Sequence, residues 1–241
     1  HQHNHLNIMI ETNELTRTLK TLLIPKAALI AYASENERNF FLEVRDINER
    51  GNMTEGRPVT LEFMNELVKG YSERHGSTPY GKIPSNLMYC DSRKGSERYV
   101  WYNPPGKRMM FFIPGLEIEN AEYNLPGVIY KAGEHGMNIY AYKGDTPDED
   151  TPLYAAPFFN VTGSGVCLGS ANLEKPKDMS YEKLLQYWEK KFWLTEFSHL
   201  GGGGNPTKSN LVLVTKAAKD KPFDLDELQP LKKLKLKDIL R

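Results

Sequence analysis

The chain has 241 residues, 31 of them basic and 31 acidic, for a formal net charge of zero; that length can bury a sizeable core in one large domain or two small ones. Zero net charge offers no global attraction for nucleic acid or an anionic membrane surface, so no direct nucleic-acid contact is expected, and no apolar run reaches the ~20 residues of a membrane span. The two cysteines, Cys90 and Cys167, belong to no CxxC pair and exclude a disulfide scaffold or a cysteine-rich zinc site. Both thiols are expected to be reduced, in a cytoplasmic protein without a secretory signal, a membrane segment or a cofactor. The opening His1-Gln2-His3-Asn4-His5 is not read as a metal site.

The first elements form a hairpin: Ala27 to Ala33 and Asn39 to Arg45 are apolar or aromatic runs joined by the polar residues Ser34 to Arg38. Thr60 can cap a helix in which Leu61, Met64, Leu67, Val68 and Tyr71 share a face that should pack, with His75 in its last turn and Gly76 closing it. Asn86 to Asp91, Arg98 to Asn103 and Arg108 to Ile113 read as an antiparallel meander, with turns at Arg93-Lys94-Gly95 and Pro104-Pro105-Gly106. Cys90 falls inside the first of these strands and is expected to pack. Gly127 to Lys131 and Met137 to Lys143 form another hairpin, with His135 in its turn, and the acidic stretch Asp145 to Asp150 follows.

Ser180 can cap a second helix, Tyr181 to Phe197, whose Leu184, Leu185, Trp188 and Phe192 face the core. It should end near His199 and the glycine run Gly201 to Gly204, before a strand from Leu211 to Thr215. From Lys216 the chain turns basic and reads as a frayed arm or a docking segment. The sum is an α+β fold with a central antiparallel meander and a helix on either side of it, since no helical period from Asn86 to Lys143 could supply parallel crossovers.

The chemistry concentrates in Pro157 to Gly169. Asn160, Thr162, Ser164, Gly163, Gly165 and Gly169 break any regular period there and suggest a loop that presents the Cys167 thiol. Gly165-Val166-Cys167-Leu168-Gly169 also matches a GxCxG nucleophile elbow, which would make the chain a cysteine hydrolase with His199 or His135 as base. An elbow needs a strand directly before it and a helix directly after it, and Pro176 and the absent helical period speak against the helix. Gly202 to Ser209 is a near miss to the phosphate-binding GxxxxGK[ST] pattern, with Thr207 at the second glycine and with a strand expected after it, where a helix is required.

Asn160 through Leu168 resembles the active-site segment of ubiquitin-conjugating enzymes, where His-Pro-Asn precedes a Gly-x-(Ile or Val)-Cys-Leu element. Here Phe158-Phe159 stand where His-Pro is usual, and one residue fewer separates Gly165 from Cys167. The order of elements is also similar, and the whole chain resembles protein B of the bacterial PRTRC cassettes, a prokaryotic branch of that superfamily which keeps the cysteine and lacks the histidine. The resemblance implies a UBC-like domain over 59–215, an N-terminal extension with an added hairpin over 1–58, and a basic tail over 216–241. It implies that Cys167 accepts a ubiquitin-like protein as a thioester from a ThiF-like activating enzyme and passes it to an amine or thiol. Other PRTRC cassette proteins would be further partners. Asn160 matches the family's oxyanion donor, although asparagine also caps loops, and His199 is a third candidate if its helix end folds back over the cysteine. A catalytically inactive UBC-like scaffold would keep the same fold and only dock its partners.

Overall fold

The computed structural model describes residues 24–240 except 37, 75–78, 94, 169–172 and 203. The expectations for His1 to His5, His75, Gly76, Lys94 and Gly169 fall outside the described residues. Among the described residues no helix is long and apolar enough to cross a membrane.

Three strands come first: β1 (Ala27–Ala33), β2 (Phe40–Ile47) and β3 (Met53–Pro58) form an antiparallel sheet in that order. β1 and β2 pair from Ala27 opposite Asp46 to Ala33 opposite Phe40. Helix α1 (Leu61–Arg74) then begins where the Thr60 hydroxyl accepts the Phe63 N–H at 3.1 Å. Most of its expected packing face is exposed, at Leu61, Leu67, Val68 and Tyr71, while Met64 is half-buried. A helical period shows which residues share a stripe, and does not supply the surface that would cover it.

Strands β4 (Leu87–Asp91), β5 (Arg98–Asn103), β6 (Gly106–Met110), β7 (Ala121–Leu125), β8 (Gly127–Gly133), β9 (Gly136–Tyr142), β10 (Pro152–Ala155), β11 (Val161–Thr162), β12 (Gly165–Val166) and β13 (Pro230–Lys235) follow. Eight of them build one sheet. Its main path is β4-β5-β8-β9-β12-β11, and β10 pairs with both β9 and β13. The third strand expected for the meander does not join it: the strand near Arg108 is β6, which pairs with β7 in a separate ribbon, and β8 takes the place beside β5. Pro104 and Pro105 lie where the chain leaves β5, and proline cannot donate to a ladder.

β5 shows how the large sheet is held. Tyr99 and Trp101 point to one face, Val100 and Tyr102 to the other, and all four are buried. The first face carries the main core with Tyr130, Ile139, Phe158, Phe159 and helix α2 (Tyr181–Trp193). Trp101 stacks on Tyr130 at 5.0 Å, and the Trp193 indole donates to the Tyr130 hydroxyl at 2.9 Å. The second face is covered by Leu236, Ile239 and Leu240 around the short helix α4 (Leu236–Ile239). Residues 216–240, which in sequence alone read as an arm or docking segment, therefore contribute a strand and a core layer.

Ser180 caps α2 by accepting the Lys183 N–H. The helix stops at Trp193, short of the expected Phe197, because the Phe197 backbone is bound elsewhere: its N–H donates to Phe111 at 2.8 Å and its carbonyl accepts from Ile113 at 3.0 Å. The expected strand from Leu211 to Thr215 is instead helix α3 (Leu211–Ala217). Asn210 caps it through Val212, and Leu211, Val214 and Thr215 are buried at three- and four-residue steps, so capping and packing override the β-branched composition. Gly202 to Ser209 thus leads into a helix after all. It follows a helix rather than a strand, and the Leu211 and Val212 amides are already bonded to the Asn205 and Asn210 side chains, so the phosphate reading gains nothing.

Candidate functional site at Cys167

The segment after β10 is pinned by two aromatic side chains. Phe158 and Phe159 are buried, Phe158 edge-on to Trp193 at 5.0 Å and Phe159 edge-on to Phe112 at 6.2 Å. Asn160 comes next, only 4% exposed and at φ 62°, in the left-handed region where asparagine is among the few residues found routinely. The glycine-rich stretch beyond it is a tight hairpin rather than a loop: Val161 faces Val166, Thr162 faces Gly165, and Gly163 takes φ 63° in the turn. Gly165 opposite Asn138, the Ser164 hydroxyl donating to Asn138 Oδ1 at 3.0 Å and the Ile139 N–H donating to Ser164 at 2.9 Å tie this hairpin to β9. Cys167 follows its last residue and is exposed.

Asn160 links the hairpin to the chain that follows α2. Its carbonyl accepts the Cys167 N–H at 2.8 Å, and its own N–H donates to the His199 carbonyl at 2.9 Å. Its side chain holds the same segment, with Nδ2 donating to the Glu196 carbonyl at 3.1 Å and Oδ1 accepting the Ser198 N–H at 3.0 Å and the Ser198 hydroxyl at 3.2 Å. The Ser198 oxygen also lies 2.8 Å from His199 Nδ1. Cys167, Asn160 and His199 are therefore joined through the backbone of one residue. His135 sits exposed in the β8–β9 turn.

Close approach of the two segments depends on Gly201, where a Cβ would come within 2.0 Å of the Val161 carbonyl oxygen and 2.6 Å of Thr162 Cα. The sequence reading missed Ser198 and the close contact of Gly201, because a serine and a glycine after a helix read as ordinary punctuation. Cys90 behaves differently from Cys167: it lies half-buried in β4 against the main core, and burial pushes its thiol up. Strand β12 directly precedes Cys167, but among the described residues no helix follows it before α2 begins at Tyr181, so the helix half of a nucleophile elbow is not seen there. Among the described residues no group of three or more His, Cys, Asp or Glu could hold a metal ion.

Residues 63–231, well over half the chain, match the model of prokaryotic E2 family D. The chain belongs to that family. No curated protein and no solved structure matches it. The match to prokaryotic E2 family D runs from α1 into β13 and takes in the Cys167 hairpin, Asn160 and the Glu196 to Gly201 segment. The fold of this family member is α+β with antiparallel sheets, compatible with an E2-like arrangement.

Proposed function

We propose that this family member is a ubiquitin-conjugating-like carrier whose Cys167 accepts a ubiquitin-like protein from a ThiF-like activating enzyme and passes it to an amine or thiol. One observation carries the reading most directly: an exposed cysteine at the end of a hairpin fastened to buried Asn160. In the loading step the Cys167 sulfur attacks the thioester carbonyl on the activating enzyme. A new C–S bond forms, the old one breaks, and the donor cysteine leaves as its thiolate while the Cys167 proton passes to solvent. Thiol-to-thioester exchange is close to balanced in free energy, so accessibility is the main demand on the site. The finer fold reading assigns β4, β5, β8 and β9 to the four-stranded core of a UBC-like domain, with β6 and β7 inserted and the β1–β3 sheet added in front. On this reading the carrier works in the bacterial cytoplasm with other PRTRC cassette proteins, as the resemblance to PRTRC protein B suggests.

The buried Asn160 amide favours a second reading in one respect. Its oxygen and one of its N–H groups are engaged by the Glu196 to Ser198 segment, which suits a scaffold as well as an oxyanion donor.

Loading separates the two. Incubated with the matching ThiF-like activating enzyme, ATP and the matching ubiquitin-like protein, the wild-type chain should form an adduct that reductant removes. Cys167→Ser should form either no adduct or an oxygen ester that resists reductant, because the hydroxyl is a far weaker nucleophile near neutral pH. A reductant-labile adduct that persists in Cys167→Ser would place the chemistry elsewhere, and no adduct from the wild type would leave the scaffold.

A further inference from the structure

The hydrogen bonds around Asn160 bear on which His199 nitrogen carries the proton. Three backbone groups set the orientation of the Asn160 amide: the Ser198 N–H donates to Oδ1 at 3.0 Å, the His199 N–H donates to it at 3.4 Å, and Nδ2 donates to the Glu196 carbonyl at 3.1 Å. Turning the amide over would set donor against donor and carbonyl against carbonyl. Oδ1 can only accept, so the Ser198 hydroxyl 3.2 Å away gives it its single proton. The same hydroxyl oxygen lies 2.8 Å from His199 Nδ1. With its proton already placed, it must accept there, and Nδ1 therefore carries the hydrogen. A neutral imidazole has one N–H, which leaves Nε2 with the lone pair.

We infer that Ser198 is a positioning residue that holds neutral His199 in its Nδ1–H form, leaving Nε2 of an exposed imidazole as the proton acceptor beside the Cys167 hairpin. The opposite placement would have Ser198 donate to the imidazole and would face two oxygen lone pairs, those of Ser198 and Asn160, across 3.2 Å. The His199 backbone is on the same bridge as that of the cysteine, since the His199 carbonyl and the Cys167 N–H both bond to Asn160. Among the described residues no carboxylate takes part in this chain of hydrogen bonds. A serine and a buried amide do the orienting for which other sites use an aspartate.

The use of this form rests on the conjugating reading. In discharge to an amine, the amine nitrogen attacks the carbonyl carbon of the Cys167 thioester, the C–N bond forms and the C–S bond breaks with the electron pair leaving on sulfur. The proton lost by nitrogen goes to His199 Nε2 and from there to solvent, which in turn reprotonates the Cys167 thiolate. Amine and thioester become amide and thiol.

Long-range proton–nitrogen NMR of the full chain with 15N-labelled histidine tests the assignment directly, with His199→Gln identifying the His199 signals. At a pH where the ring is neutral, His199 should show a protonated Nδ1 and an unprotonated Nε2, the reverse of the form that predominates for a free imidazole side chain. Ser198→Ala should revert to Nε2–H, and Ser198→Thr, which keeps the hydroxyl, should not. Single-turnover discharge of the preformed thioester to free lysine supplies the functional arm. Ser198→Ala should slow it by about 10-fold, a part of the 10²–10⁴ that a positioned base supplies, with loading by thiol exchange unchanged and Ser198→Thr restoring the rate. A wild-type His199 found as Nε2–H overturns the inference, as do equal discharge rates in all three chains. Failure to form any thioester while Nδ1–H is observed would sink the conjugating reading and leave the placement of the proton standing.

Discussion

At φ 62° Asn160 occupies backbone space that costs most L-residues about 1–2 kcal/mol, while its amide holds the Glu196 to Ser198 segment. Two substitutions separate these contributions. Asn160→Gly keeps the backbone at ease and removes only the side-chain hydrogen bonds, whereas Asn160→Ala removes them and adds strain, so Asn160→Ala should be less stable by about 1 kcal/mol in denaturant titration. Equal losses would mean that the left-handed conformation is not what selects asparagine. The two thiols should also part company. Iodoacetamide reacts with the thiolate, so peptide mapping should find exposed Cys167 modified well before half-buried Cys90, whose thiol is pushed up by burial.

A pH effect belongs to Asp91, which is 7% exposed and takes three hydrogen bonds from the Arg93 guanidinium at 3.0, 3.1 and 2.6 Å. Arg93 beside it holds its carboxyl below the usual carboxylate range. The folded state thus binds this proton less readily than the unfolded chain, and the contribution is present above the ordinary aspartate value, about 4, and fades as pH falls below it. Thermal melts of wild type and Asp91→Asn should differ near neutrality and converge below about pH 4; a gap that stays constant with pH would exclude the ion pair as its source. At this scale the sequence was legible where the residue type itself carries the message. Cys167 among glycines reads as accessible, and Asn160 reads as a residue suited to a turn. Ser198 was not legible, because its role comes from a partner 38 positions away.

Among the elements, α3 shows most clearly what local pattern cannot supply. Leu-Val-Leu-Val-Thr has the composition of a strand, yet the Asn210 cap and the buried faces of Leu211, Val214 and Thr215 make it a helix. Asn210→Ala should cost about 1 kcal/mol, the usual value of such a cap, measurable by urea unfolding; no loss would return the helix to packing alone. β6 teaches the same lesson in another form, since its strand character was readable and its partner was not. Period and propensity describe one element, whereas pairing depends on what two elements offer each other. Gly201 belongs to this scale too. A methyl group there would collide with backbone at Val161 and Thr162, so Gly201→Ala should force the Glu196 to Gly201 segment off the hairpin, at a cost of about 1–3 kcal/mol. Hydrogen exchange at the Asn160 amide, bonded to the His199 carbonyl, would rise with it.

Across the whole molecule the large sheet is covered on both faces, and the second cover comes from the far end of the described chain. Leu236 and Leu240 are each 1% exposed and pack with Met88, Val100, Ile129 and Leu153. Leu236→Ala should therefore cost about 2–5 kcal/mol, seen as a lowered midpoint in denaturant, whereas a loss under 0.5 kcal/mol would show that 230–240 adds little to the fold.

The pairing of β10 with β13 also bears on the order of events during synthesis. Pro152 lies opposite Lys235, the Ala155 N–H donates to the Gln229 carbonyl and the Leu236 N–H donates to Thr151. The strand that leads into the cysteine hairpin thus waits for residues made some eighty positions later, a long loop to close before its contacts repay the entropy lost. A ribosome stalled before Gln229 would hold a nascent chain whose β10 has β9 as its one strand partner. Limited proteolysis of such stalled chains should cut near Ala155 and spare β5, so that the thiol's surroundings are among the last parts of the molecule to become native.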